Sequence, residues 1–192
     1  MREICFIVKS FKRIVVALFL IFHQIGENSH AFAQSNVLDG LFEQLQASDA
    51  KNIERLERNI WREWRRSGSD AVDFLLERGM DAMSGGDFNT AVEHFTAAID
   101  HAPDFAEAWN MRATAYFNLD RYGPSVSDIE ETLRLNPRHF GAMGGFGMIL
   151  ENTERPKQAM AVYKRLLKVH PHNKGAQEAL ARLSELLQGT AL

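Results

Sequence analysis

Cysteine is almost missing from this chain of 192 residues: Cys5 stands alone. One thiol closes no intramolecular disulfide and builds no thiolate metal cage, so neither can hold this fold together. Long apolar runs are scarce too. Ile14 to Phe22 is uninterrupted, but nine residues rise only about 14 Å as a helix, against a hydrocarbon core of about 30 Å. Neither sign of charge dominates, with 22 Lys and Arg against 25 Asp and Glu. A formal charge of −3 is wrong for general nucleic-acid binding. Catalytic signatures are also lacking: there is no P-loop, no G-x-S-x-G, no H-E-x-x-H and no glycine-rich turn between a strand and a helix. Adjacent carboxylates such as Glu130 and Glu131 point to different sides of a helix, which suits solvation. No enzyme, cofactor or metal is expected.

The first residues read as an address rather than a fold. Arg2, Lys9, Lys12 and Arg13 make a basic start, the short apolar run follows, and Ala31-Phe32-Ala33 precedes Gln34. That order resembles a secretory signal cleaved after residue 33. Cleavage removes Cys5, which suits an oxidising compartment, and takes the net charge to −5. The expected location is outside the cytoplasm, in a bacterial periplasm. An uncleaved anchor is the alternative.

Prolines are few as well, and three of the five, Pro103, Pro137 and Pro171, are spaced 34 residues apart. Eight positions before each stand Phe95, Ile129 and Tyr163; twelve before, Ala91, Ser125 and Ala159; twenty-four before, the small residues Gly79, Ala113 and Gly147. Between Ala106 and His139, Trp109, Ala113 and Tyr116 form one helical stripe and Val126, Ile129 and Leu133 another, separated by a turn at Leu119–Gly123. Proline then stops the second helix. Small residues lie where two antiparallel helices approach, and aromatics fill the volume around them.

This pattern resembles the tetratricopeptide repeat. Trp109, Tyr116 and Pro137 match outright in the middle segment, whereas Arg112 stands where leucine is typical and Thr132 replaces an alanine. The resemblance covers 72–105, 106–139 and 140–173, and implies an all-α, right-handed solenoid of helical hairpins. Residues 174–192, with a stripe of Ala176, Leu180, Leu183 and Leu187, read as a C-terminal capping helix. Residues 34–71 read as an N-terminal helical pair, a degenerate fourth hairpin in which Trp61 takes the Phe95 slot and Trp64 the Ala98 slot. About nine helices and no strand are expected.

The resemblance further implies a peptide or helix of another protein, bound in a concave groove lined by the first helix of each hairpin. The groove positions fall on Leu76, Met80 and Met83, then Asn110, Thr114, Phe117 and Asn118, then Gly144, Met148 and Asn152. This lining is apolar and rich in methionine, a side chain that adapts to varied partners. Carboxylate-clamp members of the family use cations to hold an acidic C-terminus. The corresponding positions here, Leu76, Met80, Met111, Gly141 and Gly145, include none, so an apolar anchor is expected.

Two further features have ordinary readings. Arg55, Arg58, Arg62, Arg65 and Arg66 interleave with Trp61 and Trp64 on one helix, diluted by Glu54, Glu57 and Glu63. The expected arrangement is a packed helix with a solvated basic face. The alternative is a membrane-surface subunit of an envelope complex docked by those tryptophans or by the uncleaved N-terminus. His170 and His172 flank Pro171 and are expected in an exposed connection without metal. The function expected overall is a non-catalytic adaptor or assembly factor.

Overall fold

A computed structural model of the chain describes residues 36–47 and 52–189. The signal-like region 1–33, with Cys5 and the Ala31-Phe32-Ala33 site, lies outside the described residues, as does the break at Ser48-Asp49. The chain divides into two units, Met1–Gly40 and Leu41–Leu192. In the first, only the helical residues 36–40 are described.

Every regular element among the described residues is a helix: α1 (residues 36–47), α2 (Ile53–Trp64), α3 (Asp70–Ser84), α4 (Phe88–His101), α5 (Ala106–Asn118), α6 (Tyr122–Leu135), α7 (Phe140–Asn152), α8 (Pro156–Val169) and α9 (Lys174–Gly189). From α3 onward each packs on the next, and α3–α5 and α5–α7 also touch. The result is a helical-repeat solenoid of three hairpins, closed by α9 against α8. No helix among the described residues is long and apolar enough to cross a membrane.

Repetition extends to the backbone. Gly86, Asp120 and Glu154, spaced 34 apart, all take positive φ (78°, 55° and 56°) in the turn within each hairpin. Each turn has the same two bonds: Gly86, Asp120 and Glu154 donate to the carbonyls of Met83, Phe117 and Glu151, and Asp87, Arg121 and Arg155 to those of Ala82, Tyr116 and Leu150. This is a left-handed helix stop that satisfies the last carbonyls. Between hairpins, Ala102, Asn136 and His170 leave the helical region at φ −141°, −130° and −133°, as a residue before proline must.

The small and large positions interlock within each hairpin. A Cβ on Gly79 would collide with the ring of Phe95, and one on Gly147 with the ring of Tyr163. In the middle hairpin Ala113 is tolerated because the facing residue is Ile129. Arg112, the departure from the leucine pattern, has a local cause. Its guanidinium donates to both oxygens of Asp128 at 2.8 and 2.9 Å and to Thr96 Oγ1 at 3.0 Å, tying α5 to α6 and α4. Thr132 and Ser125 are fully buried and donate to the carbonyls of Asp128 and Ala113, both at 2.8 Å.

The N-terminal pair is not a fourth hairpin capping the array. Among the described residues α2 is not closely packed on α3, whose Phe74 is 60 % exposed. Instead, the α2 tryptophans pack on the start of α7. Trp64 stacks on His139 with 4.1 Å between ring centres, and Trp61 meets Phe140 edge-on at 5.5 Å. Phe42 of α1 joins Trp64 and Phe140, with Arg138 over its face. The tryptophans thus fill space beside α7 rather than the slots of Phe95 and Ala98. The reason is a vacancy in α7 itself: Gly141 has no side chain, and the ring of Trp61 occupies the space a Cβ would need.

Candidate functional site

A cavity of about 300 Å³ opens between α5, α6 and α7. Its walls are Asn110, Thr114, Phe117 and Asn118 from α5 and Gly141, Gly145 and Met148 from α7, with Ser125 and Ile129 of α6 as the floor. Glycine helps make the opening: a Cβ on Gly145 would stand over Ile129 at 3.9 Å, and its absence leaves that space empty. Met148 stands at the rim, 49 % exposed, an unusual state for so large an apolar side chain. Phe117 leans on Tyr122 with 5.7 Å between ring centres.

Of the ten positions that the resemblance assigns to a groove, Asn110, Thr114, Phe117, Asn118 and Met148 meet here. Leu76 does not. It is 2 % exposed in the core of the first hairpin with Val72 and Phe95, because α3 packs against α5 along that side. Met80 and Met83 are partly buried against the same core. Gly144 faces Leu166 of α8 instead of the cavity. Asn152 is exposed and donates to the Tyr122 hydroxyl at 3.3 Å.

The polar lining is largely engaged with its own chain. Asn118 Nδ2 donates to the Thr114 carbonyl at 2.8 Å, and Thr114 Oγ1 donates to that of Asn110 at 2.9 Å. Asn110 Nδ2 reaches Glu107 Oε2 at 3.4 Å. Apolar surface, more than amide pairing, is therefore what the cavity offers.

Sequence reading missed the buried pair at one end of this face. Glu107 and His139 are both fully buried, and Nε2 of His139 lies 2.9 Å from Glu107 Oε2. His139 Nδ1 accepts the Ala142 N–H at 3.1 Å and caps α7. That bond leaves the ring proton on Nε2, donated to the Glu107 carboxylate. A second imidazole departs from expectation: His170 is fully buried rather than exposed, with Nε2 2.5 Å from Glu57 of α2. Burial is possible because Phe140 covers the ring edge-on at 5.1 Å. Glu107 Oε1, His170 Nδ1 and Trp64 Nε1 are buried with no hydrogen-bond partner among the described residues.

The basic face of α2 is solvated, as expected: Arg55, Arg58, Arg62 and Arg65 are exposed, whereas Trp64 is buried and Trp61 is packed on α7. Among the described residues no group of three or more His, Cys, Asp or Glu side chains could hold a metal ion.

Three hairpins in 34-residue phase, with a cavity between the second and third, define a helical-repeat class. Tetratricopeptide repeat models match residues 76–137 and 141–173. A TPR repeat-containing protein of Rhizobium etli is 36 % identical over 153 residues, 79 % of this chain and 75 % of the relative. The chain belongs to the tetratricopeptide repeat family. Small glutamine-rich tetratricopeptide repeat-containing protein 2 of Saccharomyces cerevisiae is 29 % identical over 70 % of this chain, but only 37 % of that protein is spanned. Among solved structures, the first TPR domain of Spaghetti (RPAP3) bound to an HSP90 peptide aligns with a TM-score of 0.60 and 26 % identity, over 62 % of this chain and 95 % of that one.

Proposed function

We propose that this protein is a non-catalytic adaptor or assembly factor that binds a peptide or helix of another protein in the concave groove between α5 and α7. The observation behind this reading is the glycine-opened cavity, with the exposed Met148 at its rim and Phe117 in its wall. An apolar site of this size suits one or two anchoring side chains with a few polar groups to orient them. The similarity to an RPAP3 domain that holds an HSP90 peptide supports a polypeptide ligand. It does not carry over the acidic peptide end. Gly141 and Gly145 bring no cation to the groove, and no lysine or arginine is among the residues that line the cavity.

The order of basic start, short apolar run and Ala31-Phe32-Ala33 supports export, with a bacterial periplasm as the proposed location. N-terminal sequencing of the protein from cells tests this: a start at Gln34 is expected, and an intact Met1 end contradicts it.

The groove is tested by Phe117→Glu with Met148→Glu. The variant is expected to keep its helical circular dichroism and lose its protein partners in a pull-down. Retention of the same partners by the folded variant would place binding elsewhere.

A further inference from the structure

The face of α5 that lines the cavity continues beneath α2. Glu107, Asn110, Thr114 and Phe117 follow one another at three- and four-residue intervals, so they form a single stripe along the helix. Asn110, Thr114 and Phe117 line the cavity, and Glu107 bonds the edge of the His139 ring on whose face Trp64 stacks. On α7, Gly141 belongs to both places: it lines the cavity and seats Trp61. Cavity and α2 seat are one continuous surface, and α2 covers one end of it.

Several observations distinguish α2 from the repeats. From α3 onward each helix packs closely on its neighbour in sequence, whereas among the described residues α2 does not pack closely on α3. Its link to α3 runs through Arg65–Ser69, where Gly68 takes φ +86°. On the seat itself, Glu107 Oε1 and His170 Nδ1 have no hydrogen-bond partner among the described residues, so a different helix there has hydrogen bonds to gain.

We infer that α2 is an intramolecular occupant of the binding groove, displaced by a partner's amphipathic helix that carries two aromatic side chains three residues apart. This rests on the groove function proposed above. The chemistry of the incoming helix is that of the one it replaces. Trp61 and Trp64 set the aromatic spacing, and Glu57, four residues before Trp61, supplies a carboxylate to His170. The partner first engages Phe117 and Met148 in the open cavity and then advances along the stripe as α2 lifts. The resting chain is self-limited: a helix that binds only weakly fails to displace α2.

The probe is a fluorescein-labelled peptide of residues 52–66, titrated by anisotropy into the full chain and into its Trp61→Ala/Trp64→Ala variant. The variant's own α2 no longer competes, so it is expected to bind the probe at least ten-fold more tightly than the unaltered chain. Equal affinity for the two chains, or no binding to a variant with full helical dichroism, overturns the inference. Hydrogen exchange on the unaltered chain decides independently, including where the variant fails to fold. Amides of α2 are expected to exchange at least ten-fold faster than those of α4 and α6, through local opening. Protection of α2 equal to theirs makes it part of the core and overturns the inference. Partner capture that still depends on Phe117 and Met148 would in that case leave the groove function standing.

Discussion

A Cβ on Gly79 meets Phe95, while Ala113 at the same phase faces Ile129, so the chain holds two solutions to one packing problem. Gly79→Ala is therefore expected to cost about 1–3 kcal/mol by overpacking. In a cycle with Phe95→Ile the double variant should be more stable than the two single effects summed, measured by urea unfolding. The Arg112–Asp128 pair behaves differently. Arg112→Met strands a buried carboxylate and is expected to cost about 3 kcal/mol, much of it recovered when Asp128→Leu is added. At the turns, Glu154 holds a positive φ that glycine adopts freely, as Gly86 does at the same phase. Glu154→Gly should stabilise by about 0.5–1 kcal/mol in the same assay. Asp87 adds a pH dependence. Its side chain caps α4, and hydrogen bonds from Thr90 hold its carboxyl below the usual range. A lowered folded-state value means the carboxylate stabilises the fold above the unfolded pKa, and that gain is lost as pH falls through the folded one. Asp87→Asn keeps an acceptor that does not titrate. Its melting temperature should fall less steeply as pH drops below about 4.

At the scale of elements, α3 to α9 were legible because each position is written three times. The 34-residue phase of Pro103, Pro137 and Pro171 set hairpin ends that the extended residues Ala102, Asn136 and His170 reproduce. Helix α2 was legible as a helix but not in its place. Its apolar side, Ile53, Leu56, Ile60 and Trp64, is buried, and one buried side suits a stack end as well as a groove. Only contacts across the chain decide between them, and those join residues with no common period: Trp61 with Gly141, Glu57 with His170, Glu107 with His139. The candidate site divided in the same way. Positions on α5 and Met148 were readable from phase, whereas Leu76 is in the core because α3 packs against α5. Helix α9 adds a polar tie to the repeats. Its Arg182 reaches Glu151 at 2.5 Å, and Glu151 also accepts the Tyr163 hydroxyl at 2.8 Å, so the last helix locks α7 and α8 together. Burial and the bond to Glu151 push the Tyr163 phenol above its usual range, so no ionisation of this tyrosine disturbs the lock near neutral pH.

Across the three repeats the apolar core lies on the inside of each hairpin, and an open apolar cavity lies between hairpins two and three. Stacked repeats depend on neighbours, so ending the chain after Asn173 should expose the α8 face and produce aggregation in size-exclusion chromatography. The central claim is that another polypeptide enters the cavity between α5 and α7. A photo-crosslinking side chain placed at Met148 in the intact chain, in cells, tests it most directly. Position Leu186 of α9, also 53 % exposed but outside the cavity, is the control. The account predicts a discrete crosslinked partner from position 148, diminished by Phe117→Glu, and none from position 186. Equal capture from both positions, or capture from 186 alone, would contradict it.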